Sequence, residues 1–277
     1  MSATTDELSS ELGWPTYRVL PVRRWSQDCL TEEEDAVAEE TPVVLTYNGD
    51  PHVVMLTTPL DLEDFALGFS LTEQIIQSPD QVESIRVFPR SEGIEVRVRL
   101  KVGSDCQIEE KGRNLTGRTG CGLCGATSLK QAIKHPPPVR SSLSLSWPII
   151  QNAMERMRTH QRVGLRTGSV HAAAWLVPGC PDVQVREDVG RHNALDKMIG
   201  ALAAQKADFS TGALLVTSRA SFEMVQKCAI AGSGMLIAIS APTALAVRLA
   251  HETGVTLVGF AREASHVVYS HPHRLVY

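Results

Sequence analysis

Apolar and polar positions alternate over residues 94–100, where Ile94, Val96, Val98 and Leu100 interleave with Glu95, Arg97 and Arg99; this predicts a half-buried strand. Residues 42–47 and 52–57 are β-rich runs around Asn48-Gly49, a pair whose permissive backbone suits a hairpin turn. Thr58-Pro59 opens a helix in which Leu62, Phe65, Ala66 and Phe69 recur at helical spacing, an ordinary core stripe. Ser78-Pro79 is expected to start a second helix. The first half thus reads as an antiparallel α+β unit over 35–146. Residues 1–34, which end in an acidic run, read as a solvated tail.

The regular pattern breaks after Gly103. Glycines 112, 117, 120, 122 and 125, with Lys111, Arg113 and Arg118 among them, describe a flexible basic loop over 111–126. Residues 127–134 can form a short helix, and Pro136-Pro137-Pro138 with the serines after it reads as a linker ending near 146.

From 147 to 277 the rhythm is clearer. A helix is expected to run from Trp147 to about His160, followed by paired strands over 170–177 and 183–186 and a helix over 189–204. Strands at 213–218, 235–240 and 255–260 then alternate with helices at 222–231 and 242–253, with Gly254 as a stop. Such alternation predicts α/β architecture: a mixed sheet with a parallel centre, covered by helices on both faces. Ligands of these sheets bind beyond the carboxyl ends of the strands, where helix N-termini present free N–H groups.

Composition narrows the class. The 277 residues are 43% hydrophobic and 21% charged, enough to bury a sizeable core, and a net charge of -4 supplies no general field for nucleic acid. Neither a secretory leader nor an apolar run of membrane-spanning length is present, so a cytoplasmic protein without a membrane partner is expected. In that compartment the six cysteines are thiols rather than a disulfide scaffold.

Two expected strand-to-helix turns carry polar clusters: Asp188, Gly190, Arg191 and His192 in one, and Ser218, Arg219 and Ser221 in the other. Asp188 and Ser221 would serve as helix caps worth about 1 kcal/mol each. Capping leaves the arginines unexplained, whereas guanidinium beside free N–H groups suits a phosphate or other anion. His171, ahead of the small-residue run Ala172-Ala173-Ala174, reads first as a satisfied buried histidine and second as a pocket residue.

The strand order also matches that of zinc-dependent, cytidine-deaminase-like folds, but their ligands are missing. No Glu stands two residues after His192, and residues 218–224 contain no cysteine. No metal site of the chain's own is expected.

Cys121-Gly122-Leu123-Cys124 is flanked by glycines that leave both sulfurs approachable, and Arg118 favours the thiolate. Three chemistries fit such a pair: a zinc half-site completed across a dimer, a redox dithiol, and a sulfur relay through a persulfide. The spacing alone does not rank relay above redox. Cys29, Cys106, Cys180 and Cys228 are scattered and read as inert.

Several longer motifs stand in fixed order: Tyr47-Asn48-Gly49, Ala66-x-Gly68-Phe69, Gly117-Arg118-Thr119-Gly120-Cys121-Gly122-x-Cys124-Gly125, Thr167-Gly168-x-x-His171, Glu187-Asp188-Val189-Gly190-Arg191-His192-Asn193, and Ser218-Arg219-x-Ser221-x-Glu223. With these the chain resembles the FdhD/NarQ family of formate dehydrogenase accessory sulfurtransferases from about Glu39 to Leu275. The resemblance implies a homodimer with a deaminase-like fold that takes sulfur from a cysteine desulfurase. It would hold the sulfur on Cys121, with Cys124 assisting. Its acceptor would be the molybdenum of a bis(molybdopterin guanine dinucleotide) cofactor, carried as cargo before insertion into formate dehydrogenase. The family's cofactor-binding stretch falls on Phe260, Ala261, Arg262, Glu263, Ala264 and Ser265. There this chain departs from the usual pattern, with Glu263 and Ala264 where a glycine commonly follows the basic residue.

Overall fold

A computed structural model describes residues 13–103, 136–180, 182–262 and 265–277. Cys106, the cysteine pair, the helix predicted over 127–134, Glu263 and Ala264 lie outside them.

Within and just beyond the expected tail, the described residues form a hairpin, β1 (Tyr17–Ser26) and β2 (Cys29–Ala38), turning at Gln27 and Asp28, both with positive φ. The acidic run is held by cross-strand cations: Arg23 meets Glu32 at 3.2 Å, and Arg24 meets Glu33. Most of the hairpin is exposed on both faces, so the burial alternation that betrays a strand is missing from it.

Next come β3 (Thr41–Tyr47), β4 (Asp50–Thr57) and α1 (Leu62–Thr72), with Asn48 and Gly49 both at positive φ in the turn. Ser78-Pro79 does cap a helical turn, but that turn stops at Gln81 and gives way to β5 (Val82–Arg90) and β6 (Gly93–Leu100). The expected second helix is therefore a strand: Val82, Ile85 and Val87 pack into the first-half core. The four strands form one sheet in the order β4-β3-β6-β5, with α1 on its apolar face over Leu45, Tyr47, Val96 and Val98.

The second half follows the expected order. After β7 (Leu145–Ser146) come α2 (Trp147–Thr159), a short α3 (Arg162–Thr167), β8 (His171–Leu176), β9 (Gln184–Asp188) and α4 (Arg191–Ala204). Then follow β10 (Ala213–Val216), α5 (Phe222–Ala231), β11 (Met235–Ala238), α6 (Ala244–Thr253), β12 (Thr256–Arg262), β13 (Ser265–Ser270) and β14 (Leu275–Val276).

Six strands make a mixed sheet, β13-β12-β11-β10-β8-β9, in which β10, β11 and β12 are parallel and β8, β9 and β13 pair antiparallel with their neighbours. Leu214, Val216 and Leu236 face α4, α5 and α6, while Leu215, Met235 and Ile237 face α2. Burial on both faces explains why these strands read as short apolar runs rather than alternating ones.

The halves meet where α1 crosses α4. A Cβ on Gly68 would lie 1.8 Å from the Asp196 carbonyl oxygen, and one on Gly200 would lie 1.8 Å from that of Asp64. Two buried charged clusters flank the crossing. In one, the Lys227 ammonium touches both Asp196 oxygens at 3.0 Å, Glu73 at 3.0 Å and the Thr72 hydroxyl at 2.8 Å. The other centres on Asp188 and Lys197.

Candidate functional site

β8 runs antiparallel to β10, and β9 antiparallel to β8, so His171 and the Asp188 end of β9 arrive at the same edge as the carboxyl ends of β10, β11 and β12. That edge therefore collects His171, the 188–192 turn, the 218–221 turn and the 260–262 segment. With about 4.8 Å between neighbouring strands, the four steps from β12 to β9 span about 19 Å. The candidates share an edge rather than one compact pocket.

Asp188 is fully buried and internally committed. It accepts from the N–H groups of Thr58 (3.0 Å) and Gly190 (2.8 Å) and from the Asn193 amide (3.0 Å), and it pairs with Lys197 at 2.7 Å. Lys197 also donates to the carbonyls of Thr58 and Glu187. Asp188 thus shapes the turn from within. It is not the cap of α4, whose N-cap is Gly190. Glu187 is likewise spent, accepting from the N–H groups of Val163 and Gly164 at the start of α3.

Ser221 occupies the N-cap of α5, yet its hydroxyl makes no capping bond and has no hydrogen-bond partner among the described residues. Ser218 is buried and donates to the Arg219 carbonyl at 3.0 Å, whereas Arg219 is exposed. His192 and Glu223 approach to 2.7 Å, linking the first turns of α4 and α5. The approach is off the line of a hydrogen bond, so it is an ion pair only when the imidazole is protonated. Glu223 stands in the Ser218-Arg219-x-Ser221-x-Glu223 motif but is not among the expected site residues; its place in the first turn of α5, two residues after the Ser221 cap, is the signal that marks it.

At the other end of the edge, Phe260 has φ +52, a conformation that costs a bulky residue of order 1–3 kcal/mol and is held by its N–H bond to the Ser240 carbonyl. Phe260 is 36% exposed, Ala261 is buried, and Arg262 is exposed. Ser265 pairs with Arg262, its hydroxyl near the Arg262 carbonyl. Beside Arg262 lies a cavity of about 490 Å³ walled by Trp147, Gln151, Glu155 and Arg158 of α2. These α2 residues escaped the sequence reading although 151, 155 and 158 share one helix face.

Burial first, then the charges of Arg191 and His192, hold the His171 imidazole below the usual histidine range, against a pull from Asp188. An NMR titration should find His171 changing protonation below about 6.5, and Arg191→Gln should raise its midpoint. Because the unfolded chain takes up this proton first, the His171 contribution to stability is present above about pH 6.5 and is lost as pH falls towards the folded value. An unmoved midpoint in the variant would remove Arg191 from the electrostatics of this edge.

Elsewhere, burial pushes the Cys228 thiol up to about 12, so it is no nucleophile at neutral pH. Among the described residues no group of three or more His, Cys, Asp and Glu is placed to hold a metal, and no helix is long and apolar enough to cross a membrane.

The sequence profile of the FdhD/NarQ family matches residues 38–276. The chain belongs to the FdhD/NarQ family. It is 52% identical over 261 residues to the sulfur carrier protein FdhD of Cupriavidus necator, covering 94% of this chain and 91% of that one. It is 50% identical over 243 residues to the FdhD of Bordetella petrii, covering 88% and 87%. The solved structure described as a formate dehydrogenase accessory protein from Desulfotalea psychrophila shares the fold, with a TM-score of 0.75 over 95% of this chain and all of that one at 24% identity.

Proposed function

We propose that this FdhD/NarQ protein is a cytoplasmic sulfur carrier serving formate dehydrogenase. It takes sulfane sulfur from a cysteine desulfurase, holds it on Cys121, and passes it to the molybdenum of a bis(molybdopterin guanine dinucleotide) cofactor. The Cys121 thiolate attacks the outer sulfur of the donor persulfide; the donor S–S bond breaks, its electron pair leaves as the donor thiolate, and Cys121 carries the new persulfide without net oxidation. Cys124 assists. Both cysteines lie outside the described residues, and their roles rest on the family motif.

The observation that carries the cofactor half of this reading is the row of Arg191, Arg219 and Arg262, with Phe260, along an edge about 19 Å long. An extended ligand with phosphates at intervals and a base at each end fits that spread better than a compact metabolite would. Arginine forks suit the phosphates, and the exposed Phe260 ring offers a stacking face for guanine. A homodimer and a deaminase-like relationship belong to the same reading.

The test incubates the protein with a cysteine desulfurase and cysteine and follows intact mass. One added sulfur is expected on the wild type and none on Cys121→Ala. Sulfur uptake by Cys121→Ala, together with restored formate dehydrogenase activity, would refute the assignment. A stable Cys121–Cys124 disulfide cycling with substrate would instead indicate a dithiol oxidoreductase, and about one zinc per dimer a metal-bridged nucleotide-binding protein.

A further inference from the structure

We propose that the outer face of the β4-β3-β6-β5 sheet is the docking surface for an acidic face of the protein that donates the sulfur; the inference rests on the carrier reading above. The sheet's inner face is core. Pairing places Ser84, Arg86 and Phe88 of β5 opposite Arg99, Arg97 and Glu95 of β6, all on the outer face.

Arg86 stands directly across from Arg97, an arrangement that weakens an antiparallel pair. Glu95 bonds both Arg97 and Arg90, and Arg99 pairs with Glu83 at 3.3 Å. Arg86 has no acidic partner among the described residues. The two strands thus carry four cations, Arg86, Arg90, Arg97 and Arg99, against Glu83 and Glu95, in a chain whose net charge is -4. An edge strand is commonly guarded by charge, but guarding asks for charge of either sign and not for opposed arginines.

The rest of the face has the composition of an interface core. Arg97 lies over the half-buried Phe88 ring at 4.5 Å and Arg90 at 5.5 Å, and arginine and aromatic side chains are the enriched anchors of protein contacts. A depression of about 860 Å³ opens beside Asn48, Ser84, Arg86, Arg99 and Lys101. It is open to solvent, and among the described residues no helix N-terminus feeds it. A small polyphosphate favours enclosure and convergent N–H groups, whereas a broad cationic face suits an acidic protein surface. The face ends at Gly103, on the side from which the sequence leads to Cys121.

The test compares the full chain, the double variants R86E/R97E and R86K/R97K, and the control R140E/R248E, whose charge change is the same at exposed positions outside this sheet. Each is loaded by a cysteine desulfurase with cysteine and, separately, by glutathione persulfide, a donor too small to need docking. R86E/R97E is expected to raise the desulfurase concentration for half-maximal loading by about tenfold or more at low salt, with the gap narrowing as salt is added. Loading by glutathione persulfide should not change, and R86K/R97K and the control should stay within about threefold of wild type.

Equal desulfurase loading by R86E/R97E and wild type, or an equal loss in the control, overturns the proposal. So does a parallel loss with glutathione persulfide, which would mean damage near Cys121. Loss of inorganic pyrophosphate binding in R86E/R97E with normal desulfurase loading would make the face a small-anion site and also overturn it. Failure of glutathione persulfide to load the wild type would instead sink the carrier reading itself.

Discussion

Gly200→Ala should lower the stability of the folded chain by at least about 3 kcal/mol, although alanine is the better helix former by about 1 kcal/mol. Steric contact decides the sign. The new methyl would sit 1.8 Å from the Asp64 carbonyl oxygen, 2.7 Å from its carbon and 2.8 Å from the Gly68 nitrogen. All three are backbone atoms of α1, so no rotamer change relieves the overlap, and the helices must separate. Separation loosens the packing of Phe65 and Phe69 in one core and Leu195 and Met198 in the other. Gly68→Ala meets the reciprocal clash with Asp196 and should behave alike. In a chain of this size the loss is worth roughly 10 °C of melting temperature. Calorimetry checks it; an unshifted transition would mean that the crossing is looser than described.

Lys227→Met should cost about 3–5 kcal/mol at neutral pH, because it strands a charge rather than because it deletes a bond. Asp196 is almost wholly buried, and without Lys227 its remaining partner among the described residues is the Thr72 hydroxyl. Burial alone would depress the Lys227 ammonium, but Asp196 and Glu73 outweigh it and hold the group above the usual lysine range, so the wild-type pair is charged. Burial already holds the Asp196 carboxyl above the usual carboxylate range against the pull of Lys227 and Thr72, and in the variant, with Lys227 gone, it is pushed up further. It then binds its proton more tightly folded than unfolded, so the penalty is full above the folded value and shrinks as pH falls through it. Urea denaturation at pH 7.5 and pH 5 should therefore show a smaller gap from wild type at the lower pH. Adding Asp196→Leu should recover most of the loss, since an apolar pair of similar volume replaces the ions. A deficit independent of pH would point to lost packing instead.

How legible these features were depends on what each segment touches. Strands β10, β11 and β12 stand out in the sequence because burial on both faces makes each a short apolar run ended by a turn. The hairpin at 17–38 has little burial to advertise itself, and its register rests on cross-strand charges that look, in one dimension, like a solvated acidic run. At Ser78-Pro79 a genuine local signal was overruled: the cap and the turn form, but Ile85 and Val87 gain more by joining the sheet than by extending the helix.

The site was legible at the level of turns and opaque at the level of roles. Asp188 and Ser221 are both residues that favour caps, yet one is consumed by Lys197 and the other makes no capping bond. Such roles are set by partners such as Thr58, 130 residues away, and no local pattern carries them.

The α1–α4 crossing also bears on what fragments of this protein can exist. A compositional boundary near residue 146 invites expression of the second half as an autonomous binding module. That fragment would lose Thr58, Thr72 and Glu73, and with them ligands of both interior lysines, and it would bare the α4 surface on which Gly68 rests. A severed second half is therefore an aggregation-prone orphan, and the gene can be cut there only if both pieces are made together.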